Sequence, residues 1–171
     1  EARLAAAGAL AGRRVLVSAG GTQEPIDPVR FVGNRSSGRM GWALAAAARR
    51  RGADVTVIAS NVDLPRDPAI RYLDAPTAAD LHAAALAEFP ACDLLVMAAA
   101  VADFRPGAPR EGKIDKGAQG RLVLDMEPTA DILADLAARR GAQVVVGFAA
   151  EHGPAGLERA RAKRVRKALD L

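Results

Sequence analysis

Short apolar runs alternate with alanine-rich stretches along most of this chain, and the alternation predicts strands and helices in turn. Residues 14–18 (R-V-L-V-S) read as a buried strand, being short, β-branched and followed by Ala19-Gly20-Gly21-Thr22. Residues 23–30 (Q-E-P-I-D-P-V-R) carry two prolines, which forbid helix. Residues 30–41 (R-F-V-G-N-R-S-S-G-R-M-G) form a polar, glycine-punctuated loop, with Ser36 or Ser37 as the expected N-cap of the helix that follows. That helix runs along the alanine-rich segment to about Arg51 and ends at Gly52.

A second strand is expected over 54–60 and a short one over 70–73. Thr77 with Asp80 makes an acidic capping box for a helix to about Phe89. Residues 93–100 (D-L-L-V-M-A-A-A) are the most apolar strand, expected at the centre of the sheet. Residues 102–120 carry glycines, prolines and charges without an apolar period, so they read as a functional or mobile loop. A strand over 121–126, a helix from Pro128 or Thr129 to Gly141, a buried strand over 143–148 and a basic helix from Gly156 to about Leu169 complete the pattern. Alternating strands and helices mean a doubly wound, mostly parallel α/β fold with Rossmann-like layering. Ligands in such folds sit beyond the carboxyl ends of the strands.

A chain of 171 residues suits one domain with a real core. Half of it is hydrophobic but only 4% is aromatic, which suits alanine-rich helices packed close on a Val, Ile and Leu sheet. The net charge of +4 comes from 24 Lys and Arg against 20 Asp and Glu, and it suits anionic small ligands better than nucleic acid. Cys92 is the single cysteine, so no disulfide framework forms within the chain, and a reducing cytoplasm is expected. Only His82 and His152 accompany it, which argues against a Cys/His metal cage. No apolar run is long enough to span a membrane.

The candidate chemistry gathers at the predicted carboxyl edge. Gly33, Gly38 and Gly41 punctuate the first loop, Asn34, Ser36 and Ser37 supply amide and hydroxyl groups, and Arg35 and Arg39 add charge. A helix start beside such groups attracts a phosphorylated or carboxylated ligand. The glycine spacing is neither G-x-G-x-x-G nor G-x-x-x-x-G-K-[ST]. Gly20, Asp103, Phe148 and Glu151 follow strands, Lys113 and Lys116 lie in the long loop, and Lys163 and Lys167 share one helix face. Singly, Asp103 could be a cap, Phe148 core and the lysines a solvated face. Together they describe a pocket for a nucleoside triphosphate.

The segments A-G-G-T-Q-E-P-I-D-P-V-R-F-V-G-N-R-S-S-G-R-M-G, A-A-A-V-A-D-F-R, K-I-D-K, V-G-F-A-A-E and K-R-V-R-K-A-L-D-L, in this order over residues 13–171, resemble the phosphopantothenoylcysteine synthetase (phosphopantothenate–cysteine ligase) family. The resemblance implies an amide-forming ligase of coenzyme A biosynthesis that joins 4′-phosphopantothenate to L-cysteine. CTP, with Mg²⁺, forms an acyl-cytidylate and releases pyrophosphate, and cysteine then displaces CMP. It further implies a cytoplasmic homodimer in which an upstream flavin-dependent decarboxylase carries the flavin and this domain carries none. By the resemblance, Asn34 handles the acyl-cytidylate and Lys113 meets the triphosphate. Gly20, Ala98, Ala99, Asp103, Asp131, Ile132, Phe148, Lys163 and Lys167 take nucleotide-binding positions, and Asn34, Arg35, Ser36, Ser37 and Gly38 take substrate-binding ones.

Two departures stand out. Asp115 replaces a lysine of the family's K-x-K-K loop, and the chain stops at Leu171 where the family continues, so a C-terminally truncated domain is expected, with residues 1–12 a linker. An NAD(P)-dependent Rossmann-type reductase is the alternative, as is a non-catalytic nucleotide-binding fragment. The reductase needs a tight glycine turn and a Tyr-x-x-x-Lys pair, whereas Tyr72, the single tyrosine, has no lysine four residues on. The residues by themselves leave CTP and ATP both open.

Overall fold

A computed structural model describes residues 8–117, 120–150 and 153–171. Five parallel strands form the central sheet: β1 (Arg14–Gly20), β4 (Asp54–Ser60), β5 (Arg71–Asp74), β6 (Leu94–Met97) and β9 (Val144–Gly147). Their order is β5-β4-β1-β6-β9. Helices α1 (Arg39–Arg50), α2 (Ala78–Glu88) and α3 (Ile132–Ala137) lie in the connections between them, and α4 (Gly156–Arg166) follows β9. Two antiparallel ribbons stand apart from this sheet: β2 (Gln23–Pro25) with β3 (Phe31–Gly33), and β7 (Phe104–Pro106) with β8 (Met126–Pro128). The expected doubly wound α/β architecture is therefore present.

Strand alternation divides the core into two layers. Val15, Val17 and Ala19 of β1 join Val55 and Val57 of β4 against Ala45 and Ala48 of α1. On the other face Leu16, Ile58 and Leu95 pack with Leu81, Phe89, Leu136 and Val145 beneath α2 and α3. The alanines of α1 permit close approach, and Gly41 carries this furthest: a Cβ there would lie 2.6 Å from Ala19 Cβ and 2.9 Å from the Ser18 carbonyl oxygen. Burial of Cys92 in the second layer pushes its thiol up to about 11, which leaves it unreactive at neutral pH.

Several expectations need correction. The N-cap of α1 is Gly38, in the left-handed region at φ 71°, and neither Ser36 nor Ser37 caps that helix. Ser36 Oγ instead accepts from the Gly38 N–H (3.3 Å), turning the chain one residue before the helix. Strand β6 is not the centre of the sheet, since β1 is, with β6 between it and β9. Apolarity reports burial on both faces, which all interior strands share. The alternating run 121–126 is not a strand. Leu122 and Val123 are exposed, and pairing begins only at Met126, where Arg105 and Glu127 stand opposite and form an ion pair at 2.6 Å.

Helix α3 starts at Ile132 with Asp131 as its N-cap, because Thr129 is engaged elsewhere, and it stops well before Gly141. The long loop is not without structure either: β7 lies inside it, and Gly107 N–H donates to the Asp125 carbonyl. Beyond α4, Asp170 N–H donates to Val145 and Gly147 N–H to Leu171, so the last residues lie along the free edge of β9. Among the described residues, no helix is long and apolar enough to cross a membrane.

Candidate active site

From β1 the chain runs to β4 on one side, and the later half of the fold continues at β6 on the other. The carboxyl ends of β1 and β6 therefore flank the switch point where α/β sheets open a crevice. Backbone hydrogen bonds hold the two ends together: Ala100 N–H to the Gly20 carbonyl at 2.8 Å and Thr22 N–H to the Ala100 carbonyl at 3.2 Å. Thr22 is wholly buried, and its Oγ1 accepts from Ala102 N–H at 2.9 Å. Thr129 donates its hydroxyl to the Ala102 carbonyl (2.6 Å) and its N–H to the Asp103 carbonyl (2.9 Å). These bonds set Ala98, Ala99 and Asp103 along one rim, with the Asp103 side chain in solvent.

The loop before α1 forms the opposite rim. Asn34 Nδ2 donates to the Val101 carbonyl at 2.8 Å, bridging the crevice from the β3 side to the β6 side. A Cβ on Gly21 would lie 2.9 Å from the Asn34 carbonyl oxygen and 3.2 Å from Ser36 Cβ, so this loop rests directly on Gly21. Asn34, Arg35, Ser36 and Ser37 are exposed, and Gly38 packs against Gly20. No side chain caps the first turn of α1. Its leading N–H groups stay free for an anion at the edge of the crevice.

A second subset lies at the start of α3. Asp131 accepts from Ala134 N–H and meets Lys167 Nζ at 3.0 Å, and Ile132 is buried beside it. Burial would raise the Asp131 carboxyl, but Lys167 and the Ala134 N–H outweigh it and hold it below the usual range. Lys167 is thus paired with Asp131, two residues to which the resemblance gives nucleotide-binding positions lying against each other. Lys163 is half-buried and Phe148 is exposed, and neither is tied to the crevice by a described hydrogen bond. Lys113 is exposed on the long loop, and Glu151 lies outside the described residues.

Four residues, Thr22, Glu24, Asp27 and Arg30, matter more than their sequence context shows. Thr22 links the two strand ends, as above. Glu24, 2% exposed, accepts from Ala78 N–H at 2.9 Å and so anchors the β2–β3 ribbon to the start of α2. Asp27 is 4% exposed and pairs with Arg30 at 3.2 Å. Burial would push the Asp27 carboxyl up, but the N–H groups of Ile114, Val29 and Arg30 and the Arg30 guanidinium hold it below the usual range. The signal available for these four was charge and hydroxyl packed between prolines in T-Q-E-P-I-D-P-V-R, a poor place for solvent-exposed decoration.

Comparison with known proteins places the sequence and the fold. Residues 10–171 match the family model described as the DNA/pantothenate metabolism flavoprotein C-terminal domain. The coenzyme A biosynthesis bifunctional protein CoaBC of Mycobacterium bovis is 48% identical over 172 residues, covering 95% of this chain and 41% of that protein. Its Escherichia coli K12 counterpart is 45% identical over 160 residues, covering 92% of this chain and 39% of that protein. The chain therefore spans about two-fifths of the length of these relatives. The crystal structure of the C-terminal domain of a CoaBC protein superposes with a TM-score of 0.83 at 34% identity, covering 95% of this chain and 76% of that one. With its fold and its sequence in agreement, this chain belongs to the DNA/pantothenate metabolism flavoprotein C-terminal domain family.

Proposed function

We propose that this domain is a phosphopantothenate–cysteine ligase that consumes CTP. The single observation that supports it most is the loop 34–38, which sets an asparagine, two hydroxyls and the uncapped start of α1 beside the joined ends of β1 and β6. In this reading the uncapped turn, Arg35, Ser36 and Ser37 receive the phosphate of 4′-phosphopantothenate. The nucleotide lies along Gly20, Ala98, Ala99 and Asp103, with Asp131, Ile132, Phe148, Lys163 and Lys167 farther along the same edge and Lys113 at the triphosphate.

The carboxylate of phosphopantothenate attacks the α-phosphorus of CTP and pyrophosphate leaves. The amine of cysteine then attacks the acyl carbon, loses a proton, and CMP leaves. Both steps bring anions together, so the protein contributes mainly positioning and positive charge. Among the described residues, no group of three His, Cys, Asp or Glu could hold a metal ion. Mg²⁺ would accordingly arrive on the phosphates rather than in a protein cage.

The reductase reading is disfavoured because residues 21–38, including the β2–β3 ribbon, separate β1 from α1, where a dinucleotide site needs a tight turn. In the parent chain we expect pyrophosphate to exchange label into CTP only when phosphopantothenate is present. Equal exchange with ATP would refute a specific use of CTP, and no exchange at all would leave a nucleotide-binding module. Lys113→Gln should slow that exchange by about 1.5–3 kcal/mol, roughly 10- to 150-fold, the value of one charge-assisted hydrogen bond.

The parent protein, in this reading, is cytoplasmic, carries its flavin in an upstream decarboxylase, and is a homodimer. Val29, Phe31 and Phe104 are 62%, 53% and 55% exposed on ribbons that touch through β2 and β7, an apolar face suited to a second copy. Phe31→Glu with Phe104→Glu should shift the parent protein to monomer in sedimentation velocity, and an unchanged dimer would place the contact elsewhere.

A further inference from the structure

We propose that Asp27 is a positioning residue: braced by Arg30, it latches the 110–117 loop to the β2–β3 ribbon through the backbone of Ile114, and so sets where Lys113 and Lys116 stand. The proposal rests on the reading of Lys113 as a triphosphate ligand.

The two carboxylate oxygens of Asp27 have separate tasks. Oδ1 accepts from Val29 N–H and Arg30 N–H, both at 2.8 Å, which closes the turn between β2 and β3. Asparagine could do that much. Oδ2 accepts from Ile114 N–H at 3.1 Å, a residue 87 positions away, and lies 3.2 Å from Arg30 Nη1. Arg30 Nη2 in turn donates to the Ile114 carbonyl at 2.8 Å. One residue of the loop, Ile114, is therefore gripped at both its N–H and its C=O by an ion pair whose carboxylate side chain is fully buried.

Among the described residues, only one other hydrogen bond joins residues 110–117 to the rest of the molecule, from Arg110 N–H to the Ile26 carbonyl at 2.8 Å. All of these ties end on the same short turn, Ile26 to Arg30. A buried carboxylate is costly unless charged donors surround it, and here the donors include the loop itself. The grip is on backbone, so it holds the loop whatever its side chains, and it places a lysine immediately before the clamped residue and another two after it. The same ribbon continues into Asn34, so the latch fixes the cation-bearing loop relative to the crevice rim.

The test uses the parent protein. Asp27→Asn keeps an acceptor for the turn but turns a second donor toward Ile114 N–H and Arg30, and Ile114→Pro removes the donor on the loop side. Either substitution should accelerate tryptic cleavage after Lys116, without nucleotide, by about tenfold or more, because cleavage follows the open population. Thermal melting of Ile114→Pro should barely move, because Asp27 keeps Arg30 as its partner. The KM for CTP should rise more than the KM for phosphopantothenate in both variants, and the two changes together should exceed neither alone. Unchanged cleavage in both variants would overturn the latch. Cleavage accelerated evenly along the chain, with a lowered melting temperature, would make Asp27 merely structural and overturn the proposal. Faster local cleavage with unaltered CTP kinetics would overturn the positioning role. If Lys113→Gln also left exchange untouched, the fault would lie with the functional reading of the loop, and the latch would stand as a structural tie.

Discussion

Asn34→Asp, in the parent protein, should leave CTP binding and acyl-cytidylate formation largely intact while amide formation with cysteine fails and the intermediate accumulates. The amide of Asn34 donates to the Val101 carbonyl, and its Oδ1 accepts no hydrogen bond from a described residue. That oxygen is free to accept from an incoming amine. Aspartate has nearly the same shape but carries a full negative charge beside an anionic intermediate, and it puts an oxygen against the Val101 carbonyl where a donor was. In the proposed reading both effects oppose the second half-reaction, whereas binding of the triphosphate would rely on the lysines. Quenched reactions followed by mass spectrometry decide the matter: normal product with no trapped intermediate removes Asn34 from the mechanism. The bridge to Val101 also allows a purely structural role. That role predicts a lowered melting temperature and loss of both half-reactions together.

Gly20→Ala should be the most damaging single methyl in the fold. Gly20 has φ 98°, where L side chains are strained, and a Cβ there would lie 1.9 Å from the Ser60 carbonyl oxygen and 2.6 Å from Val62 Cγ2. Ser60 is the last residue of β4, paired in register with Gly20, so the clash can be relieved only by parting β1 from β4 at the crevice. Backbone strain and overpacking together should cost about 3 kcal/mol or more, a large fraction of the stability of an ordinary domain. The expected measurement is a lowered urea midpoint with an unchanged m-value. A loss under about 1 kcal/mol would show that the strand ends are looser than this geometry implies.

The elements that were legible from sequence are those whose signals are local. The 54–60 strand matches β4 at both ends, and Thr77 with Asp80 forms the expected capping box. The candidate site was legible in part for the same reason. Glycines and polar side chains after strands mark a crevice edge, and loop 34–38 does lie on Gly20 and Gly21. What misled was information carried by partners. Residues 121–126 alternate as a strand should, yet among the described residues no strand pairs with 121–125, and the ribbon begins only at Met126, where Arg105 can face Glu127 next along. The pairing of Lys167 with Asp131, 36 residues before it, was likewise invisible along the chain.

By itself, then, the sequence determined that strands and helices alternate, that the short apolar runs are buried strands, and that glycines and polar side chains follow the first strand. Periodicity, capping and turn chemistry act over a few residues and need no knowledge of the rest of the chain. Only the tertiary structure decided that β1 is the centre of the sheet, that Gly38 rather than a serine begins α1, and that Asp27 and Arg30 grip Ile114. Each of these depends on groups far apart in the chain meeting in space. A buried carboxylate reveals its purpose only when the donor 87 residues away is seen to satisfy it.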